Sequence, residues 1–178
     1  MNEVLEVIEK RRSIRKFTDQ SVEMEKIELL LRAAMAAPSA MNAQPWEFAV
    51  ITEREIMDEF RRSLPFARMN ATAAICVLGS SRMQRNKAGD KFWVQDCSAA
   101  TENILLAATS LGLGSVWIGV YPITLLKRQV ERILNLPEGV QPLNLIYLGY
   151  PAEEKESRTQ FEDRRVHWGA FPQPEIQN

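Results

Sequence analysis

From Asn103 to Leu126 the chain carries no charged side chain. A run of about 20 apolar residues is long enough to cross a bilayer, so no other segment constrains the fold as strongly. Its own residues decide the matter. Gly112, Gly114, Gly119 and Pro122 interrupt it, and Thr109, Ser110 and Ser115 add hydroxyls. It reads as the end of a buried helix, a glycine turn and a buried strand, and no membrane contact is expected. The helix starts near Asp90 and runs to Leu111. Cys97, Ala100, Ile104, Ala108 and Leu111 share one face, and Leu105 to Ala108 make it apolar nearly all round. Such a helix lies in a core or an interface. Gly112 and Gly114 stop it, and Ser115 to Tyr121 follows as the strand.

The remaining elements are shorter. Asn2 to Arg11 reads as a helix with Val4 and Ile8 on one face. Ile27, Leu30, Leu31, Ala34 and Met35 fall at helical spacing, with Glu23 and Glu25 at the start and Pro38 beyond the end. Pro38 to Trp46 is a loop bounded by prolines, and Glu47 to Ile51 a strand. Thr52 and Glu55 form a capping-box pattern that opens a helix burying Ile56, Met57, Phe60 and Leu64. Ala73 to Gly79 reads as a central strand, Ser80 to Gly89 as a polar, basic surface loop, Leu125 to Leu134 as an amphipathic helix and Pro142 to Gly149 as a strand. Helices interleaved with about four short strands favour an α+β or α/β fold.

Composition excludes several functions. A chain of 178 residues suits one domain and can bury a core without disulfide or metal. With 22 basic and 23 acidic side chains it has no global field for nucleic acid or anionic membrane. One histidine, His167, leaves little for a metal site or a hydrolase triad. Cys76 and Cys97 are too far apart for a CxxC pair and read as buried thiols of a reducing compartment. No GxSxG elbow or phosphate-binding P-loop occurs. Gly112 and Gly114 follow a helix, and Trp117 stands where a dinucleotide fingerprint needs its third glycine.

Two segments carry candidate chemistry. Arg11, Arg12, Ser13 and Arg15 cluster at a helix end. They are either a solvated basic face or an anion site, where guanidinium forks and a hydroxyl would bind phosphate. Ser39, Asn42 and Gln44 stand among alanines in the proline-bounded loop. They belong to an ordinary loop anchored by Trp46, or offer donors and acceptors to a flat polar heterocycle.

Together these residues carry a resemblance. Arg-Arg-Ser-Ile-Arg-Lys-Phe at 11–17 and Ala-Pro-Ser-Ala-Met-Asn-Ala-Gln-Pro-Trp at 37–46 resemble the nitroreductase family of FMN-dependent oxidoreductases. The segment from Gln95 to Gly119 resembles the family's central helix and following strand. Arg158 with Val166-His167-Trp168 resembles its C-terminal segment. The four stand in the expected order over nearly the whole chain.

The resemblance implies an α+β fold, with a central, mostly antiparallel sheet flanked by helices. It implies one domain over residues 1–178, paired as an intertwined homodimer with FMN at the interface, residues 150–178 extending toward the partner. Arg11, Arg12, Ser13 and Arg15 match the family's cofactor motif. Arg11 and Arg158 are expected on the FMN phosphate, and Ser13 and Arg15 on phosphate or the pyrimidine edge. Pro38, Ser39, Ala40 and Asn42 match the loop lent by the other subunit, with Ala40 where serine is common. Ile118 and Gly119 match a strand end whose backbone approaches the isoalloxazine. Glu156 stands where a second basic residue often precedes Arg158. His167, Cys97 and Trp117 are expected to serve packing or surface roles. The implied activity is ping-pong transfer of hydride from NADH or NADPH through FMN to a small-molecule acceptor, a nitroaromatic, quinone or activated alkene, in the cytoplasm. A flavin-fragmenting or dehalogenating enzyme on the same fold, and a non-enzymatic flavin binder, remain open alternatives.

Overall fold

A computed structural model describes residues 2–170. The elements run α1 (Glu3–Lys10), α2 (Met24–Met35), β1 (Trp46–Ile51), α3 (Arg54–Ser63), β2 (Ala73–Ser80), α4 (Ala88–Ser110), β3 (Gly114–Gly119), α5 (Thr124–Ile133) and β4 (Val140–Gly149). The strands form one sheet in the order β1-β2-β4-β3, antiparallel throughout. The fold is α+β, as the sequence led us to expect.

Strand alternation divides the core in two. Ala74, Cys76, Leu145 and Tyr147 face α3 and α5, where Met57, Phe60 and Val130 meet them. Ile75, Val77, Ile146 and Leu148 face α2 and α4, against Ile27, Leu30, Cys97 and Ile104. A sheet with helices on both faces needs its middle strands apolar on both sides, and every residue of β2 is buried.

α4 is the spine of the second layer. Its buried Cys97, Ala100, Thr101, Ile104, Leu105 and Ala108 recur at helical spacing. The end is a Schellman turn. Gly112, at φ +73°, donates to the Thr109 carbonyl (3.2 Å), and Leu113 donates to the Ala108 carbonyl (2.8 Å). That turn feeds directly into β3. The uncharged stretch is therefore a helix, a glycine turn and a strand, and no helix among the described residues is long and apolar enough to cross a membrane.

One expectation needs correcting. Thr52 and Glu55 form no capping box. The helix starts at Arg54 with Glu53 as its cap residue, so Thr52 stands one place too early and Glu55 one place short of the reciprocal position. Thr52 instead donates its backbone N–H to the Glu53 carboxylate (3.1 Å). α1 forms where predicted, and Val4, Leu5 and Ile8 are all exposed among the described residues.

The segment after α1 acts as an extra edge. Ile14 donates to the Ser115 carbonyl (2.9 Å) and Phe17 bridges Pro151, so residues 11–17 run from the edge of β3 to the segment just beyond β4. Gly114 and Gly149, paired across β3 and β4, make room for it. A Cβ at Gly114 would lie 2.8 Å from Ile14, and one at Gly149 would lie 2.9 Å from Phe17. Asn70 clamps the arm's far end. Its side chain accepts from the Phe17 N–H (3.2 Å) and donates to the Phe17 carbonyl (2.6 Å). Asn70→Ala should remove both bonds and cost about 1–3 kcal/mol. Denaturant unfolding would measure the loss, with faster amide exchange at Phe17 marking its source.

Candidate functional site

The arm collects the predicted basic residues. Arg11, at the end of α1, places its Nε 3.7 Å from a Glu102 carboxylate oxygen on α4. Arg12 donates its guanidinium to the Glu156 carbonyl. The Ser13 carbonyl accepts from Lys155 Nζ (2.6 Å). The backbone N–H groups of Arg15 and Lys16 donate to one oxygen of Glu153 (2.6 and 3.3 Å), leaving the Arg15 guanidinium exposed. Arg158 donates its backbone N–H to the Glu9 carbonyl (3.2 Å), which brings it beside the C-terminal end of α1. The backbone of Arg158 thus meets the end of α1 next to Arg11 and Arg12, although it is distant in sequence; the Arg11 side chain turns to α4 and Arg15 to a cavity. The segment from Tyr150 to Arg158 is the strap that joins them.

Glu153 is the strap's fastener, and sequence reasoning passed over it. The Arg15 N–H holds its carboxyl below the usual carboxylate range, with Lys155 adding to the effect. In sequence it is one of several carboxylates beside a lysine and looks like any solvated run. Nothing distinguishes it until the fold brings the arm alongside.

At the β3 edge lies a cavity of about 390 Å³, lined by Arg15, Phe66, Arg68, Met69 and Val116 to Gly119. That volume falls within the range of small-molecule sites, about 300–1,000 Å³. Ser115 turns its carbonyl outward to Ile14. Bonding alternates along a strand, so Trp117 and Gly119 also turn their backbone groups outward, while Ile118 turns its own toward β4. The Ile118 side chain is buried in the core. Nothing lies within 4 Å of where a Cβ on Gly119 would stand, so a flat ring can reach its backbone. Phe66 and Trp117 remain exposed at the mouth. Phe66 and Arg68 come from the α3–β2 connection, which has no pattern that marks it in sequence.

The Pro38 to Trp46 loop is elsewhere. It leads into β1, at the opposite edge of the sheet from β3, and packs on α4. Trp46 anchors it in the core. Met41, Asn42 and Gln44 all have positive φ (49°, 54° and 47°), a conformation costly for residues other than glycine. The Ser39 hydroxyl accepts from the Gln44 N–H (3.1 Å), Asn42 accepts from the Gln44 side chain (2.7 Å), and Ala40 donates its N–H to Asp96 (3.0 Å). Asp96 is buried on α4, and its second oxygen has no hydrogen-bond partner among the described residues. It was not among the sequence candidates, because a single acid in a helix resembles any other. The neighbouring Cys97 is buried too, and burial, aided by Asp96, pushes its thiol up to about 12.

The nitroreductase family model matches residues 8–66 and 62–150, which takes in the arm, the loop, α4 and β3. The chain belongs to the nitroreductase family. A relative from Archaeoglobus fulgidus, provisionally named NADH dehydrogenase/NAD(P)H nitroreductase, is 45% identical, covering 94% of this chain and 98% of the relative. A solved structure of the same provisional name from Parabacteroides distasonis is 41% identical, with a TM-score of 0.90 over 96% of this chain and all of that one. A provisionally named nitroreductase from Desulfovibrio desulfuricans, solved in complex with FMN, is 31% identical, with a TM-score of 0.79 over 97% of this chain and 99% of that one. The nitroreductase resemblance read from four segments is therefore correct.

Asp96→Ala should leave the Ala40 N–H without an acceptor and cost about 1–3 kcal/mol, whereas Asp96→Asn keeps an acceptor and loses less. Denaturant melts of the two variants would separate these cases. Glu153 makes a pH prediction. Its carboxyl titrates lower in the folded chain than its ordinary value of 4.5. The stability it contributes is thus full above about pH 4.5 and is lost as pH falls through the lowered folded value. Glu153→Gln should flatten that part of the acid unfolding profile.

Proposed function

We propose that this chain passes hydride from NADH or NADPH, through FMN, to nitroaromatic, quinone or activated-alkene acceptors by a ping-pong mechanism. An FMN-dependent NAD(P)H oxidoreductase is what the family and its relatives make it; the acceptors and the kinetic order are our extension. Bound FMN supplies the atom that takes up and releases hydride, and the protein supplies binding and orientation. Arg11 and Arg158 hold the phosphate, with Arg12 tying the strap behind them. Ser13 and Arg15 serve the phosphate or the pyrimidine edge. The outward N–H of Gly119, next to Ile118, is the donor that meets the ring, and Phe66 and Trp117 screen it from water. No side chain acts as a nucleophile.

The observation that carries the reading is a separation. The cavity with Arg15 and Gly119 lies at the β3 edge, and the loop with Pro38, Ser39, Ala40 and Asn42 lies before β1. Three strand spacings lie between those edges, roughly 14 Å, and the two features pack on opposite faces of the sheet. One copy cannot close both around one flavin. A second copy can, its loop covering the first copy's cavity. A homodimer also gives the exposed Val4, Leu5 and Ile8 of α1, and Phe161 and Trp168 of the tail, a surface to meet. Residues 171–178 of the proposed extension lie outside the described residues.

The purified protein should be yellow, release FMN on denaturation and bleach with NADH or NADPH; a preparation that stays colourless with added FMN would sink the proposal. Arg11→Ala should remove a charge-assisted bond worth about 1.5–3 kcal/mol and weaken FMN binding by roughly tenfold or more. Sizing in solution tests the pairing, since a stable monomer that holds FMN tightly contradicts a shared site.

A further inference from the structure

The stretch between β2 and α4 has no part in the roles above. It contains Arg82, Arg85 and Lys87, and Lys91 follows within the first turns of α4. All four are exposed, and among the described residues none of their side chains has an ion-pair or hydrogen-bond partner. Of the carboxylates nearby, Asp90 accepts from the Gln84 side chain (2.7 Å), and Glu131 lines the same cavity as these two. In a chain with net charge -1, this is a concentrated block of uncompensated positive charge.

The stretch is clipped to the proline-bounded loop from two sides. Arg85 donates its backbone N–H to the Ala43 carbonyl (2.8 Å), and Asn86 donates its side-chain amide to the Met41 carbonyl (3.0 Å). Asn86 also accepts from the Ala88 N–H (3.0 Å), which ties the stretch to the start of α4. Where the loop goes, the cations go. On the reading that the loop covers the partner subunit's flavin, they stand at the rim of that cavity. A hydride donor brings only its nicotinamide to the flavin. A cavity of about 390 Å³ has no room for the rest of a dinucleotide, so the diphosphate must trail across the rim. Guanidinium and ammonium groups match it in charge and donors.

We propose that Arg82, Arg85 and Lys87 bind the diphosphate of the nicotinamide dinucleotide that reduces the partner subunit's flavin. This rests on the shared flavin site proposed above. The test uses the flavin-loaded enzyme and the triple variant Arg82→Glu/Arg85→Glu/Lys87→Glu. Flavin bleaching is followed without oxygen, using NADH, NADPH and 1-benzyl-1,4-dihydronicotinamide, a hydride donor with no phosphate. The variant should keep its FMN and reduce at the wild-type rate with the benzyl donor. Its half-saturating concentrations of NADH and NADPH should rise roughly tenfold or more, and their dependence on salt should weaken. The single variants Arg82→Gln and Lys87→Gln, which keep both backbone clips, should move the same constants in the same direction by smaller factors. A flavin-loaded variant whose dinucleotide constants stay within about twofold of wild type overturns the proposal, as does equal slowing with the benzyl donor. If the wild type takes up no FMN, the shared flavin site fails first; if it does and the variants are insensitive, only this inference falls.

Discussion

One bond pattern comes before everything else in the site: the Arg11 to Phe17 arm lying along the open edge of β3. Without it, β3 would present an unpaired strand edge, and the basic residues would hang on a free tail. The arm is short, and its pairing is two isolated bridges, Ser13 with Ser115 and Phe17 with Pro151. It persists because its two apolar residues, Ile14 and Phe17, drop into the core against Gly114 and Gly149. Polar clips then hold its second half, Asn70 at Phe17 and Glu153 at Arg15. Burial supplies the driving force, and the hydrogen bonds choose the register.

From this dependence follows the order in which the site is built. α4 sets the position of β3 through its Schellman turn, and β3 sets the arm. The arm then provides the surface on which the Tyr150 to Arg158 strap lands. Each step uses groups left over by the one before. The outward carbonyl of Ser115 takes the arm, and the outward N–H groups of Arg15 and Lys16 take Glu153. The outer edge beyond Ser115, at Trp117 and Gly119, has no backbone partner among the described residues and is where the cavity opens.

Periodic elements were legible in the sequence because burial repeats. The apolar faces of α2 and α4, the strand β2 and the glycine stop at Gly112 all left a spacing that could be counted. The arginine cluster and the proline-bounded loop were legible by resemblance, as residues in a known order. The side chains that hold these pieces were not. Asn70, Asp96, Glu153 and Lys155 each act through one or two bonds to backbone groups far along the chain. A single polar residue among other polar residues has no period, and its partner is chosen by tertiary placement. Thr52 and Glu55 show the opposite error. Their spacing matched a local cap, but the helix starts at Arg54 with Glu53 in the cap position, one residue later than that cap requires.

The opposite-edge placement of loop and cavity has a further consequence for how damage spreads. In the proposed pair, a lesion at Ser39 or Asp96 leaves the same copy's cavity intact and cripples its neighbour's. A lesion at Arg15 or Gly119 does the reverse. Two copies that fail for different reasons can therefore assemble one sound centre between them, and a defective copy can silence a healthy one. In that proposed pair, the unit on which selection acts is the pair rather than the polypeptide.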